Sequence, residues 1–418
     1  MEYGCIGKKL PHSFSKIIHE KIGDYSYKLV ELTEDELPVF MEKRDFKAIN
    51  VTIPYKEAVI PYLYELSDTA KSIGAVNTIV NRDGRLYGYN TDFYGMTALI
   101  KKNNIDFNGK KVAVLGTGGT SKTAAAVAKN LGAKSVIKVS RSKTENTVTY
   151  DELYENNADT DIIINTTPVG MFPQIYASPV DLSRFTSLSG VIDAVYNPLE
   201  TKLVADAKSC GISSESGLYM LVAQAIKAYE IFMDKTAPEN LLDDIFNDVK
   251  ANKQNIVLIG MPGSGKTTIG QAVAEKLGRD FIDTDVEIKK NIKIEISDYF
   301  SQYGEEKFRD IETQVIKDIS TRSGAVIATG GGAVLKQENV DALKMNGIIY
   351  FLDRPLEQIV PTSDRPTASS REAIEKRYSE RYGIYKSSAD KSVTVTGVVN
   401  DAVKQIESEH FNYENSCY

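Results

Sequence analysis

The stretch VLIGMPGSGKTTIG, residues 257–270, predicts a buried strand, a glycine-rich turn and the start of a helix. It satisfies the spacing G-x-x-x-x-G-K-[ST], in which glycines let backbone N–H groups turn inward around phosphates. In such a turn Lys266 reaches the β- and γ-phosphates, the Thr267 hydroxyl joins Mg²⁺, and the helix N-terminus attracts negative charge. The stretch therefore predicts a P-loop that binds a nucleoside triphosphate together with Mg²⁺. The residues expected to contact the nucleotide are Gly260, Gly263, Gly265, Lys266, Thr267 and Thr268.

The composition of the chain narrows the kinds of partner to expect. Its 418 residues are enough for two or three domains, and 42 % apolar with 26 % charged residues is typical of soluble globular proteins. No apolar run is long enough to span a bilayer, and the N-terminus MEYGCIGKK lacks the pattern of a signal peptide. The net charge of −7 disfavours nucleic acid, and the three cysteines and three histidines have no metal-binding spacing. We therefore expect a cytoplasmic protein with no membrane and no nucleic-acid partner.

Short apolar strands alternate with helical stretches along the whole chain. This order favours parallel sheets built from βαβ units, and hence an α/β fold. KKVAVL at 110–115 is typical of a buried strand, and LYMLVAQAIKAYEIF at 218–232 predicts a long helix. The polar stretch NDVKANKQN at 247–255 has little apolar character, and we place the main domain boundary there.

Polar residues after the P-loop indicate the kind of molecule that receives the phosphate. Asp283 and Asp285 in FIDTD lie two apart on one face of a strand end, where carboxylates can orient Mg²⁺ or accept a hydroxyl proton. The strand AVIATGGGAV runs into three glycines, which let a ligand approach the backbone. The same half of the chain offers three arginines: Arg309 in EEKFRDIE, Arg365 in the polar loop TSDRPTASS and Arg381 in ERYGIY. Taken alone, Arg309 and Glu312 would also fit a surface ion pair on a helix.

In this order, GMPGSGKTTIG, FIDTD, EEKFRDIE, TGGGAV, SDRP and RYGIY resemble the shikimate kinase family over residues 253 to 408. The resemblance implies that MgATP phosphorylates the 3-hydroxyl of shikimate, a hydroxylated ring with a carboxylate that suits bidentate arginines. It implies that Asp283 lies near the reacting hydroxyl and, with Thr267, near the metal, and that Arg365 closes over the phosphates from a lid. The residues that it assigns to shikimate are Asp285, Arg309, Gly331 and Arg381.

The first half contains a second strand, glycine turn and helix, VAVLGTGGTSKTAAAVAKNLG at 112–132. Its glycines match the dinucleotide-binding pattern, with Ser121 in the place of the third glycine. The next strand, VIKVS, ends in Ser140 and Arg141, and no carboxylate stands there to bind the ribose hydroxyl of NAD. This favours NADP(H), whose 2′-phosphate suits a cation, although serines beside Arg141 leave the strength of that preference open.

Residues upstream of this turn suit a small polyhydroxylated acid. NVTIPYK offers Lys56 and GYNTD offers Asp92, and a lysine next to a carboxylate can supply or remove the proton that accompanies hydride transfer. Eight motifs in order resemble the shikimate dehydrogenase family over residues 1 to about 246. They are YGCIGKKLPHSFS, NVTIPYK, GAVNTI, GYNTD, GTGGTS, INTTPVGM, DAVYNPLET and GLYMLVAQA.

The second resemblance implies roles for residues that no local pattern assigns. It implies that Lys56 and Asp92 are the catalytic pair. The residues that it assigns to the substrate's carboxylate and hydroxyls are Ser13, Ser15, Thr52, Asn77, Tyr196 and Gln224. The residues that it assigns to the dinucleotide are Gly116, Gly118, Gly119, Ser140, Arg141, Asn165 and Thr166.

Together the two resemblances predict one chain with two consecutive reactions: reduction of 3-dehydroshikimate by NADPH, then phosphorylation of shikimate by ATP. The predicted substrate domain spans 1–92, closed by helices of 217–247 that pack back onto it. A Rossmann domain that binds NADP spans 93–216, a linker spans 248–254, and a P-loop α/β/α kinase domain spans 255–410.

Three alternatives stay open at this point. The first half would act on quinate with NAD, although Arg141 argues against NAD. The second half would be a small-molecule kinase of other specificity, such as a gluconate-type kinase, or a regulatory module that binds ATP without turnover. The oligomeric state is also open, with a homodimer among the alternatives.

Overall fold

The chain divides into two units in the computed structural model, residues 1–249 and 250–418. The structure describes residues 1–10, 14–359 and 371–411. Within those ranges, no helix is both long enough and apolar enough to cross a membrane.

The first sheet of the first unit is mixed, because one of its connections is a tight hairpin. Its elements are β1 (Tyr3–Gly7), α1 (Ser15–Ile22), β2 (Tyr27–Glu31), α2 (Glu36–Lys43), β3 (Ala48–Val51), β4 (Glu65–Leu66), α3 (Asp68–Ile73), β5 (Thr78–Arg82) and β6 (Arg85–Tyr89). The strand order is β2-β1-β3-β5-β6-β4, with antiparallel pairs β3–β5 and β5–β6. Asp83 and Gly84 join β5 to β6 with φ angles of 52° and 80°, as a type I′ turn requires. The parallel pattern predicted along the chain is therefore interrupted here, since a two-residue turn joins only antiparallel strands.

The second sheet of this unit has parallel strand pairs. Its elements are α4 (Asp92–Lys102), β7 (Lys111–Leu115), α5 (Gly119–Asn130), β8 (Ser135–Val139), α6 (Tyr150–Asn156), β9 (Ile162–Asn165), β10 (Gly190–Asp193), α7 (Lys202–Ser209) and β11 (Ser213–Glu215). The strand order is β11-β10-β9-β7-β8. Strand β9, with the sequence IIIN, is buried at every residue, as in sheets covered on both faces. The chain leaves β7 for β8 on one side and β9 lies on the other side, which makes the carboxyl end of β7 a switch point where ligands bind.

Helix α8 (Leu218–Met233) belongs to the first unit, and helix α9 (Leu241–Lys253) runs across the end of that unit at residue 249. Helix α8 packs against α4 and α1. Gly95 of α4 permits this close approach, because a Cβ there would lie 2.5 Å from the Met220 carbonyl oxygen. In α9, Ile245 and Val249 are buried and lie four residues apart, on one face of the helix. One apolar residue per turn is therefore enough to pack this helix, although the sequence around residue 250 is mostly polar. The linker predicted at 248–254 overlaps the end of this helix.

The second unit contains a sheet of parallel pairs with the P-loop at its centre. Its elements are β12 (Asn255–Ile259), α10 (Lys266–Leu277), β13 (Phe281–Asp283), α11 (Thr284–Ile292), α12 (Ile296–Ser320), β14 (Val326–Ala328), α13 (Gln337–Lys344), β15 (Gly347–Asp353), α14 (Arg371–Ser388), β16 (Lys391–Thr394) and α15 (Val399–Phe411). The strand order is β13-β14-β12-β15-β16. Helix α12 is broken at Gly304, whose φ is 83°. Short 3₁₀ turns in the two units lie at Ile60–Tyr62, Leu182–Arg184, Ala333–Leu335 and Leu356–Gln358.

A buried histidine in the first unit predicts a loss of stability in acid. The His19 ring stacks on Tyr27 at 4.0 Å, and its Nδ1 lies 2.6 Å from the Tyr25 hydroxyl. Burial lowers the pKa of the His19 imidazole to about 3, so the unfolded chain binds more protons between pH 6.5 and 3. Stability is therefore complete above pH 6.5 and falls as the pH decreases through this window.

We expect His19→Phe to remove this dependence while keeping the stacked ring. Between pH 6.5 and 5, the free energy of unfolding of the wild type should fall by about 2 kcal/mol more than that of the variant. Urea titrations of both proteins at the two pH values measure the difference. Equal losses in both proteins would contradict the prediction.

Candidate active sites

The first candidate site is built around a nearly buried ion pair. Lys56 follows β3 and Asp92 begins α4, and Lys56 Nζ donates to Asp92 Oδ2 at 2.5 Å. Their side chains are only 12 % and 8 % exposed. Lys56 Nζ also lies 3.5 Å from Thr120 Oγ1, and a Cβ on Gly119 would lie 3.3 Å from the Lys56 Cβ. Folding therefore places the predicted catalytic pair directly against the predicted dinucleotide turn.

Two of the residues predicted to bind substrate converge on the adjacent residues Thr91 and Asp92. Asn77 Nδ2 donates to Asp92 Oδ1 at 2.8 Å, and Asn77 Oδ1 accepts the Thr91 backbone N–H at 2.7 Å. Gln224 reaches Thr91 from α8, where its Oε1 accepts from Thr91 Oγ1 at 3.3 Å. Thr91 and Thr120 were not predicted from the sequence, although each adjoins a residue that was. Both could have been predicted from their position, because a hydroxyl next to a predicted site residue can donate or accept a hydrogen bond there.

The other predicted substrate residues lie on neighbouring segments of the first unit. Ser15 is the first residue of α1, and Thr52 directly follows β3, where its amide donates to the Ile6 carbonyl at 2.9 Å. The ring of Tyr196 packs on that of Phe14, with centroids 5.3 Å apart. Ser13 lies outside the described residues, so its assignment stays a prediction.

The glycine turn after β7 has the room and the polarity that a pyrophosphate needs. Gly116 has a φ of 109°, in the region that favours glycine. A Cβ on Gly118 would meet no described atom within 4 Å, so the space above the start of α5 is open. Ser121, which replaces the third glycine of the pattern, is buried and donates to the Gly116 carbonyl at 2.7 Å. The serine therefore closes the turn, and the N-terminus of α5 fits a phosphate group.

The predicted cofactor residues beyond this turn divide into two kinds. The Asn165 side chain has no exposed surface: it donates to Asp193 Oδ1 at 3.0 Å and accepts the Thr167 backbone N–H at 3.0 Å. Asn165 therefore holds the turn after β9 from inside, whereas Thr166 adjoins Gly116, where an added Cβ would lie 2.8 Å from its hydroxyl.

Ser140 and Arg141 follow β8, and Arg141 is exposed. Strand β8 pairs with β7 in parallel, so these two residues lie at the same sheet edge as the glycine turn. That edge is where the ribose of a dinucleotide binds in such folds.

The second candidate site begins at the P-loop, which fits a polyphosphate. Gly260, Gly263 and Gly265 have φ angles of 147°, 83° and 97°, a backbone that turns N–H groups toward a common centre. Lys266 Nζ donates to the Gly260 and Met261 carbonyls at 2.8 and 3.0 Å and so lies across the loop. The buried Ser264 hydroxyl has no hydrogen-bond partner in the described part of the chain, which leaves it available to a ligand.

Residues beside the P-loop also suit a metal ion and line a cavity. Thr267 Oγ1 donates to Asp283 Oδ2 at 2.9 Å, an oxygen pair of the kind that holds Mg²⁺. Thr268 lines a cavity beside the loop together with Arg354 and Gly397. Arg354 Nη1 donates to the Gly263 carbonyl at 3.3 Å, and its Nε is a buried atom without a partner in the described residues. Arg354 was not predicted as a site residue, because the sequence around it resembles an ordinary strand end.

Each glycine of the loop 330–332 lies so close to a neighbouring residue that a side chain would collide with it. A Cβ on Gly330 would lie 2.7 Å from Asp285 Oδ1, and a Cβ on Gly331 would lie 3.0 Å from the Pro262 ring. A Cβ on Gly332 would overlap the guanidinium of Arg309. The three glycines therefore allow Asp285, Arg309 and the P-loop to converge on one stretch of backbone.

The two arginines predicted to bind the acceptor both reach this loop. Arg381 Nη1 donates to the Gly331 carbonyl at 3.1 Å. Arg309 Nη1 donates to Glu312 Oε2 at 2.7 Å, and the Glu312 side chain is 1 % exposed, so this pair is not a surface ion pair. Burial raises the pKa of the Glu312 carboxyl, and the Arg309 charge opposes that shift. Glu312 therefore orients Arg309 from inside the protein, a role that spacing alone did not reveal.

The two aspartates are adjacent but differ in their partners. Asp283 caps α11, where its Oδ1 accepts the Asp285 backbone N–H at 3.0 Å, while its Oδ2 faces Thr267. The Asp285 side chain faces Gly330. Asp283 thus lies on the nucleotide side and Asp285 on the glycine-loop side. Their two-residue spacing predicted one shared face of a strand end, and this was wrong because the strand ends at Asp283 and Asp285 already belongs to α11. Arg365 lies outside the described residues, so its closure over the phosphates stays a prediction.

Comparison with known proteins identifies a family for each unit. The family model for the shikimate dehydrogenase substrate binding domain matches residues 5–79, and that for shikimate kinase matches residues 262–409. A shikimate dehydrogenase (NADP(+)) from Clostridium beijerinckii is 38 % identical over 262 residues, which cover 59 % of this chain and 96 % of that protein.

Solved structures agree with this assignment for the first unit. Shikimate dehydrogenase 1 from Peptoclostridium difficile is 38 % identical with a TM-score of 0.56, and the match covers 60 % of this chain and 98 % of that one. The shikimate 5-dehydrogenase of Thermus thermophilus, in complex with NADP(H) and shikimate, is 26 % identical with a TM-score of 0.53, covering 59 % and 99 %. This chain therefore belongs to the shikimate dehydrogenase family through its first unit, carries a shikimate kinase domain in its second, and is a bifunctional enzyme of the shikimate pathway.

Proposed function

We propose that the first unit reduces 3-dehydroshikimate to shikimate with NADPH, and that the second unit then phosphorylates the 3-hydroxyl of shikimate with MgATP. The observation that carries the proposal is the convergence in each unit of a reactive group with its nucleotide turn. Lys56 and Asp92 lie against the dinucleotide turn, and Asp283 lies against the P-loop threonine. Shikimate is the product of the first reaction and the acceptor of the second, so the two assignments support each other.

In the first site, NADPH supplies the hydride when it is bound. Lys56 supplies the proton to the ketone oxygen, and Asp92 keeps the ammonium in place through the 2.5 Å ion pair. Asn77 holds the second oxygen of Asp92 and thereby fixes the orientation of the pair. Burial of both side chains excludes water and keeps the proton available to the substrate.

In the second site, ATP supplies the phosphoryl group when it is bound, and Thr267 and Asp283 would hold Mg²⁺. Asp283 also orients the reacting hydroxyl, while Lys266 stabilises the negative charge that develops on the phosphates. Asp285 binds ring hydroxyls, and Arg309 and Arg381 bind the carboxylate.

The cofactor preference follows from charge at the edge of the second sheet. Arg141 is exposed beside the dinucleotide turn, and no carboxylate occupies the end of β8. The similar protein from Clostridium beijerinckii has NADP(+) in its name, which supports the same preference. The alternative for the first unit is activity on quinate with NAD. A higher rate with quinate and NAD than with shikimate and NADP would favour that alternative.

One incubation tests both reactions. Purified full-length protein receives 3-dehydroshikimate, NADPH and MgATP, and products are identified by mass. We expect shikimate 3-phosphate, and we expect shikimate alone when ATP is omitted. If NADPH is not consumed, the first substrate is wrong. If shikimate accumulates in the presence of ATP, the second unit takes another acceptor or only binds ATP, and a screen of hydroxylated acids separates these two cases.

Gly332→Ala should impair acceptor binding without unfolding the domain. The added methyl would overlap the Arg309 guanidinium, which is the mobile end of a long side chain and can move away. We expect the KM for shikimate to rise at least about tenfold, because a carboxylate contact is lost. The KM for ATP should change little. Gly383→Ala on α14 is the control, since its methyl would meet no described atom within 4 Å, and an equal effect of both variants would contradict the prediction.

A further inference from the structure

Three arginines of the second unit are grouped on the side of the glycine loop 330–332, and they differ in what they bind. Arg309 donates to two glutamates: Nη1 to Glu312 at 2.7 Å and Nη2 to Glu305 at 2.9 Å. Arg381 Nη1 donates to the backbone carbonyl of Gly331. The two cations assigned to the acceptor's carboxylate therefore already use part of their donors on oxygens of the protein itself.

The third arginine, Arg377, was not predicted as a site residue. It lies on α14 one turn before Arg381, and Tyr385 lies one turn after Arg381, so the three share one helix face. This is the face toward the glycine loop, because both Arg381 and the Tyr385 hydroxyl donate to the Gly331 carbonyl. Arg377 thus extends the row of donors that begins at the loop.

Arg377 differs from its two neighbours in having an unused buried donor. Its Nη1 is a buried atom with no hydrogen-bond partner among the residues that the structure describes. A buried donor left without an acceptor is costly, and native structures rarely keep one without a reason. The charged groups that act on Arg377 are Arg381, Glu305 and Glu380, and burial with the Arg381 charge lowers the pKa of Arg377. Glu305 and Glu380 act in the opposite direction, yet neither accepts from Nη1, and an anion bound at this donor would relieve the repulsion between the two guanidinium groups.

We propose that Arg377 is a specificity-determining residue that binds the carboxylate of the phosphate acceptor together with Arg381. The inference rests on the proposed function in that the acceptor is a carboxylated, hydroxylated ring. A third guanidinium adds N–H donors in the planar geometry that a carboxylate matches, at a point where Arg309 is held by its own glutamates. The second unit should therefore discriminate strongly between acids and their uncharged esters.

The test compares two variants of adjacent residues and two acceptors. Arg377→Met removes the proposed donor, and Lys376→Met removes the same charge from an exposed neighbouring position. Kinase activity of the full-length proteins is measured with shikimate and with methyl shikimate. We expect Arg377→Met to raise the KM for shikimate roughly ten- to a hundredfold, with the KM for methyl shikimate and for ATP nearly unchanged. Arg377→Lys keeps the charge but not the planar set of donors, so its KM for shikimate should lie between those of the wild type and Arg377→Met.

The outcomes separate this inference from the proposed function. If Arg377→Met changes the KM values for the acid and the ester equally, or no more than Lys376→Met does, Arg377 is structural and the inference is wrong. If the wild type does not phosphorylate shikimate, the proposed function fails, and calorimetric titration with shikimate then decides the inference. Weaker binding of shikimate to Arg377→Met than to Lys376→Met would support the inference, and equal binding would overturn it. The shikimate site of the first unit is the same in both variants, so it does not contribute to the difference.

Discussion

Replacing Lys56 with methionine should lower the kcat of ketone reduction by about 10²- to 10⁴-fold, the usual contribution of a positioned acid. Methionine keeps the apolar length of the side chain but cannot supply a proton. The change also leaves Asp92 without its cation in a site where its side chain is 8 % exposed. NADPH consumption at saturating 3-dehydroshikimate measures the effect, and phosphorylation of added shikimate by the same preparation should be unchanged.

Lys122→Met provides the control for this variant. Lys122 lies on α5 in the same unit and pairs with Glu57 at 2.6 Å, with both side chains partly exposed. It should retain the rate of the wild type, since an exposed pair contributes little to structure. A Lys56→Met protein that folds and keeps more than about a tenth of the wild-type kcat would show that another group supplies the proton.

Replacing Lys266 with methionine should have the opposite effect: the kinase reaction should be lost and the reduction of 3-dehydroshikimate kept. The ammonium lies across the P-loop between two of its carbonyls, where the phosphates of ATP are expected. Removing one preorganised cation or donor from a site of developing charge costs about 10²- to 10³-fold in rate. We therefore expect shikimate-dependent formation of ADP to fall by at least that factor, while reduction of 3-dehydroshikimate continues at the rate of the wild type.

Lys276→Met tests whether loss of any lysine on α10 has this effect. Lys276 lies in the last turn of the helix and forms a partly exposed ion pair with Glu407. Its kinase activity should match that of the wild type. If Lys266→Met also slows the dehydrogenase, the two units are coupled in a way that the separate assignments do not include.

Local patterns predicted much of the secondary structure. The strand predicted at 110–115 is β7, which begins one residue later, and the helix predicted at 218–232 is α8, which ends one residue later. Both are continuous apolar or periodic stretches in which neighbouring residues determine the conformation. The hairpin between β5 and β6 was missed, although Asp83 and Gly84 are typical of a type I′ turn, because the alternation along the rest of the chain favoured parallel strands.

The candidate sites could be predicted only in part. Motif spacing was sufficient to place Lys266 and Thr267 at the glycine-rich turn, because a P-loop places its donors through consecutive backbone turns. The contact of Lys56 with Thr120 joins residues 64 positions apart, and no pattern within either segment reveals it. Glu312 is similar: its spacing from Arg309 suits a surface pair, and only the packing of α12 shows that its side chain is buried.

What the sequence by itself determined are the two nucleotide turns, the α/β class and the two families, because these depend on residue types at short, regular spacings. What only the tertiary structure decided is which donors are free and which are used. Arg309 and Arg377 both lie in charged stretches of the chain, yet the first donates to two glutamates and the second has a buried Nη1 without a partner in the described residues. The physical reason is that burial and hydrogen bonding depend on the side chains that distant segments bring into contact, and short-range spacing contains no information about them.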